Sequence, residues 1–122
     1  MAHYIFNVVG DATPVAGFMR AGLWSIDAGE PHRDALAAGD LVLLYLGAPE
    51  RTFVGCAVLA SAARDGGVLL TDIEVWEPPV PMGDVLAQID RSQGARADFD
   101  TGVVRITAAE YETALAVAAG SR

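Results

Sequence analysis

Residues 39–61, GDLVLLYLGAPERTFVGCAVLAS, decide the fold. LVLLYL at 41–46 is a nearly continuous apolar run of strand length, so it reads as a strand buried on both faces. Gly47 to Arg51 is a turn, and TFVGCAVLAS at 52–61 is the next strand, with Gly55 marking a bulge or a close backbone approach. A second turn, Arg64 to Gly67, leads into VLLTDIEVW at 68–76, a third long strand. Strands joined by short turns make a sheet, and the rest of the chain has to cover it.

Upstream, YIFNVV at 4–9 is a β-branched and aromatic strand ending at the turn pair Gly10-Asp11. Thr13-Pro14 caps a helix expected over Pro14 to Ala21, which Gly22 stops. An irregular stretch, LWSIDAGEPHRD, then leads to a helical turn at Asp34 to Ala38 closed by Gly39. Downstream, Glu77-Pro78-Pro79-Val80-Pro81 reads as an extended crossing outside any ladder, delivering the chain to a helix from near Met82 to about Asp90. Residues 91–101 are polar and lack apolar periodicity, so they read as a loop. VVRI is a short strand, and Thr107-x-x-Glu110 is a capping box for a last helix that runs to about Ala119, with Ile106, Tyr111, Leu115 and Ala118 toward the core. The expectation is one α+β domain over residues 1–122, a curled sheet of five to six strands with four short peripheral helices. Phe6, Leu43, Tyr45, Phe53, Trp76 and Tyr111 supply its bulk.

Charge narrows the function. Eight basic residues, all arginine, against sixteen acidic ones leave a net charge of −8, the wrong sign for a broad face that grips phosphates. The absence of lysine excludes a phosphate-loop lysine, a Schiff base and a lysine general base. One cysteine and two histidines are too few for an internal disulfide or most protein zinc sites, so no metal and no cofactor is expected. The opening MAHYIFNVVG has no basic n-region, and the longest apolar stretch, 41–49, is too short for a bilayer, so the expectation is a soluble cytoplasmic protein with no membrane partner.

Motifs of catalysis are missing: there is no G-x-S-x-G, G-x-G-x-x-G or H-E-x-x-H. His32 and Asp34 at a helix start read as capping and solvation ahead of an acid–base pair, and Asp98 with Asp100 offers too few oxygens for a hard cation. Cys56 reads as core packing, because no basic group near it in sequence lowers its pKa. Trp24 stands apart. It lies in the irregular stretch outside any amphipathic repeat, where an indole either stacks a base or cationic group or plugs one end of the curled sheet. Trp76, alternating with apolar strand partners, reads as structural.

The order of these pieces resembles the EVE domain of the PUA-like superfamily, and more distantly the YTH domain. YIFNVV, GLWS, the Gly-Asp of AAGDLVLLYL, FVGCAVLAS, PVPM and RITAAEYETAL carry the resemblance, which covers nearly the whole chain and is most specific from Gly22 to Ser61. It implies a small mixed β-barrel with peripheral helices that binds a modified base in a pocket at one end. YTH domains take a methylated adenine between aromatic walls, and EVE domains are associated with modified cytosine or related bases. By the same resemblance Trp24 is one pocket wall and Ser25 the small residue that meets a base edge. Gly10 and Asp11 are the turn offering polar contacts, and Tyr45, Leu46 and Gly47 are the rim at a strand end. The charge then favours a short nucleic acid or a free nucleotide over a long backbone, with Arg20, Arg51, Arg91 and Arg96 as the cations available to a pocket mouth. Two other readings stay open: an accessory domain whose acidic surface docks a basic protein partner, and a small PUA-like nuclease or hydrolase using Asp11, Asp27 or His32.

Overall fold

A computed structural model describes residues 2–8, 17, 22–26, 33–47, 51–62, 67–86 and 103–120. Its strands are β1 (His3–Val8), β2 (Leu23–Ser25), β3 (Leu41–Leu46), β4 (Thr52–Leu59), β5 (Gly67–Pro81) and β6 (Val103–Ile106). They form one six-stranded mixed sheet in the order β2-β5-β4-β3-β1-β6. β1 runs parallel to β3, pairing Val8 with Leu46, while β3-β4, β4-β5, β2-β5 and β1-β6 are antiparallel. A 3-10 turn (Arg33–Ala35) precedes β3, and two α-helices, α1 (Met82–Leu86) and α2 (Ala108–Gly120), complete the described chain. The sheet with its helices bears out the α+β expectation.

Because β3 is apolar throughout, the sheet can be covered on both faces. Val42 and Leu44 enter a cluster on the concave side with Tyr4, Phe6, Trp24, Leu59, Val68 and Leu70. Leu43 and Tyr45 enter the other, with Phe53, Cys56, Trp76, Val85, Tyr111 and Ala118, where α1 and α2 pack. All six large residues expected in the core are buried, none more than 5% exposed. The capping box also forms: Thr107 N–H donates to Glu110 Oε1 at 2.9 Å, and Glu110 N–H donates to Thr107 Oγ1 at 3.0 Å. Thr107→Ala is expected to cost about 1 kcal/mol in a urea titration by freeing the first turn of α2.

Three sequence expectations need correction. First, the prolines of 77–81 do not end the ladder: β5 continues to Pro81, with Val80 opposite Phe53 and Pro81 opposite Thr52. The ladder skips from Val75 to Val80, so Pro78 and Pro79 lie in the interruption, where no hydrogen-bond donor is required. Second, four helices were expected, and the described residues hold α1, α2, the 3-10 turn and, of the expected helix at 14–21, only Gly17, which is helical. The rest of that helix and the loop at 91–101 fall outside them. Third, Trp24 is not in an irregular stretch. It is the central residue of β2, opposite Val68.

Candidate functional site

β2 is only three residues long, too short to show a period, and glycines hold it in place. Gly22 adopts a left-handed φ of 68°, which favours glycine, and its carbonyl accepts from Leu70 N–H at 2.7 Å. Gly67 faces the strand so closely that a Cβ there would lie 2.7 Å from the Trp24 carbonyl oxygen. Backbone hydrogen bonding and this close approach seat β2 on β5, and they aim the indole across the concave face.

The curl of the sheet then brings the indole to β1, four strands away in sheet order. Trp24 and Phe6 have ring centroids 6.2 Å apart at 37°, within the range of favourable aromatic contact. Trp24 is 1% exposed. Tyr4, two residues before Phe6, joins the same cluster, and its hydroxyl donates to the Ala35 carbonyl at 3.5 Å. Burial, and next the charge of Asp40, raise the Tyr4 phenol above its ordinary range, with Arg105 opposing. The concave face thus buries three aromatic rings, Tyr4, Phe6 and Trp24, within one apolar core cluster, none more than 1% exposed.

Asp40 ties this face to the chain ahead of it. Its buried carboxylate accepts from Ala2 N–H and from Ala37 N–H, both at 3.0 Å. Its backbone carbonyl accepts from Leu59 N–H at 2.8 Å, and Gly39 before it has a φ of 94°. The carboxylate therefore pins the starts of β1 and β3 beside the 3-10 turn. Sequence reading saw only a strand start in Gly39-Asp40; an acid directly before an apolar run was the signal for more.

The site residues expected from sequence divide by face. Trp24 is in the concave cluster, and half-buried Leu46 packs against the same cluster. Tyr45 points the other way: its ring packs against Phe53 at a centroid distance of 4.9 Å and a tilt of 48°, and its hydroxyl donates to Met82 Sδ at 3.1 Å, so only its backbone is available to the concave side. Gly47 is buried, and its carbonyl accepts from Arg51 N–H at 3.2 Å. Ser25 is paired through its backbone with Gly67. Gly10 and Asp11 lie outside the described residues, as do Asp27, His32, Asp98, Asp100, Arg20, Arg91 and Arg96. Of the expected rim cations only Arg51 is described, and it is exposed.

On the opposite face Cys56 is buried, as its sequence neighbours imply, and its thiol lies 3.8 Å from Glu74 Oε2. The Tyr111 phenol is raised well above its ordinary value, by burial first and then by the Cys56 thiol, with which it shares a hydrogen bond. A phenol favoured in its neutral form when folded stabilises the fold below the unfolded value of 10.0 and loses that contribution as pH rises above it. Alkaline unfolding is therefore expected to begin above about pH 10, and Tyr111→Phe is expected to flatten it in a melting series.

Among the described residues no three His, Cys, Asp or Glu side chains group as metal ligands, and no helix is long and apolar enough to cross a membrane. A scan against protein-family models finds no match, and neither does a search of curated proteins. Solved structures do match. A hypothetical protein from Leishmania major aligns over 99% of this chain and 96% of its own, with a TM-score of 0.78 at 12% identity. The MmI1 YTH domain aligns over 100% of both chains, with a TM-score of 0.70 at 15% identity. An ASCH protein from Zymomonas mobilis aligns over 95% of each chain, with a TM-score of 0.65 at 10% identity. The curled six-stranded mixed sheet with its helices is thus a fold shared with these ASCH and YTH-domain structures, consistent with the PUA-like expectation.

Proposed function

We propose that this chain is a binding module of the EVE type, which takes a single modified nucleobase on the concave face of its sheet. The observation that carries the reading is the aromatic set Tyr4, Phe6 and Trp24 gathered in one cluster of a fold that aligns end to end with a YTH domain. In this reading Trp24, which is 1% exposed, is uncovered when the base binds and becomes the stacking wall, and Ser25 meets the base edge. Leu46, Gly47 and the backbone of Tyr45 form the rim. Gly10 and Asp11, which lie outside the described residues, complete the polar contacts in this reading. The net charge of −8 favours a nucleotide or a short oligomer as the partner.

The test is a thermal-shift panel of methylated and unmodified adenine and cytosine nucleosides, nucleotides and short oligomers. A modified base is expected to raise Tm in a saturable way, and more than its unmodified parent does. Equal shifts for modified and unmodified bases, or none across the panel, would contradict the reading.

A further inference from the structure

Arg51 stands where the turn between β3 and β4 suits a different residue. Its φ is 51°, in the left-handed region where the Cβ of an arginine crowds the backbone and a glycine has none to crowd it. Asp72 has a similar φ of 50°, but aspartate tolerates this region through local hydrogen bonding and arginine does not. The backbone fixes the conformation from both sides. Arg51 N–H donates to the Gly47 carbonyl at 3.2 Å, closing the turn, and the Arg51 carbonyl accepts from Met82 N–H at 2.9 Å, where α1 begins. Glycine would make both bonds equally well, so the turn itself has no use for the side chain. Nor does an acid nearby: among the described residues Arg33 pairs with Asp34 at 3.8 Å, and the exposed Arg51 guanidinium makes no ion pair. A cation kept in an unfavourable backbone conformation, with no charged partner among those residues, points to a partner outside the chain.

The position narrows what that partner is. Thr52, the next residue, lies opposite Leu46, whose side chain packs against the concave cluster, and the carbonyl that Arg51 N–H engages is that of Gly47. Leu46 and Gly47 are the rim in the base-binding reading, so Arg51 stands beside that rim. We propose, resting on that reading, that Arg51 takes the phosphate attached to the bound base's sugar, so that the ligand is a nucleotide, free or within a short strand, rather than a nucleoside. A guanidinium suits the task because its planar fork can donate two parallel N–H bonds to phosphate oxygens. In a chain of net charge −8, a local cation is also what offsets the repulsion of an approaching phosphate.

Comparing nucleosides with nucleotides separates the phosphate contact from the base contact. The probes are N6-methyladenosine and 5-methylcytidine, each titrated by calorimetry beside its own 3′- and 5′-monophosphates. A monophosphate is expected to bind at least about tenfold more tightly than its nucleoside, and to lose that advantage as salt is raised. Arg51→Gln is expected to bring the monophosphate down to the affinity of the nucleoside. Arg51→Lys is expected to keep part of the advantage, since an ammonium supplies charge without the fork. Arg33→Gln, which changes net charge by the same amount, is expected to keep all of it. Arg51→Gly is expected to lose the advantage while raising Tm by about 3 °C, because the left-handed conformation no longer carries a side chain. Equal affinity of nucleoside and monophosphates, an advantage that survives Arg51→Gln, its equal loss in Arg33→Gln, or a Tm lowered by Arg51→Gly would overturn the proposal and leave the base reading standing. Monophosphates bound through Arg51 without preference for any base would do the reverse, and no saturable binding of any probe would overturn both.

Discussion

Gly67→Val is expected to detach β2 from the sheet and to destabilise the protein by about 3 kcal/mol, at the upper end of the usual cost of overpacking. The reason is local. A Cβ at residue 67 would stand 2.7 Å from the Trp24 carbonyl oxygen, and that oxygen belongs to backbone, which cannot swing aside as a flexible side chain does. The strain falls on a strand of three residues, which has few other hydrogen bonds to hold it. A urea titration gives the loss. Gly83→Ala is the control: nothing lies within 4 Å of a Cβ there, and its place in α1 makes alanine neutral or slightly stabilising. Similar losses in the two variants would refute the close-approach argument. Base binding is expected to fall with Gly67→Val as well, because the variant moves Trp24.

Removing the indole separates stability from recognition. Trp24→Ala empties a site that is 1% exposed, so a cost of about 3–5 kcal/mol is expected, a large share of a domain's stability. If the indole also stacks a base, affinity falls by a further 1–3 kcal/mol, about 5- to 150-fold. Trp24→Phe distinguishes the two effects: it keeps an aromatic ring against Phe6 and is expected to remain folded, with a smaller loss of affinity. A folded Trp24→Ala protein that binds the modified base as the wild type does would remove Trp24 from the site.

Much of this architecture was legible in the sequence because its strands declare themselves. LVLLYL matches β3 at both ends, VVRI matches β6, and the Thr107–Glu110 spacing formed the reciprocal hydrogen bonds its pattern implies. What escaped was set by partners distant in sequence. Leu23–Ser25 is a strand only because Gly67–Leu69 lies beside it, and no local period reveals that. Pro78 and Pro79 looked incompatible with a ladder, yet an interruption in the pairing with β4 accommodates them and the strand resumes at Val80. The site was legible in part. Trp24 stood out as an unusual tryptophan, but its contact with Phe6 depends on the curl of the whole sheet. The alternation that places Tyr45 on the convex face was readable from β3, where neighbouring residues alternate sides.

The central claim is that a modified base reaches the concave face at Trp24. Trp76→Phe leaves Trp24 as the only indole, so titrating that protein with the nucleoside giving the largest thermal shift tests the claim most directly. Saturable quenching of Trp24 emission, with an affinity matching the thermal shift, is the expected result. A nucleoside that stabilises the protein while leaving Trp24 emission unchanged would contradict it.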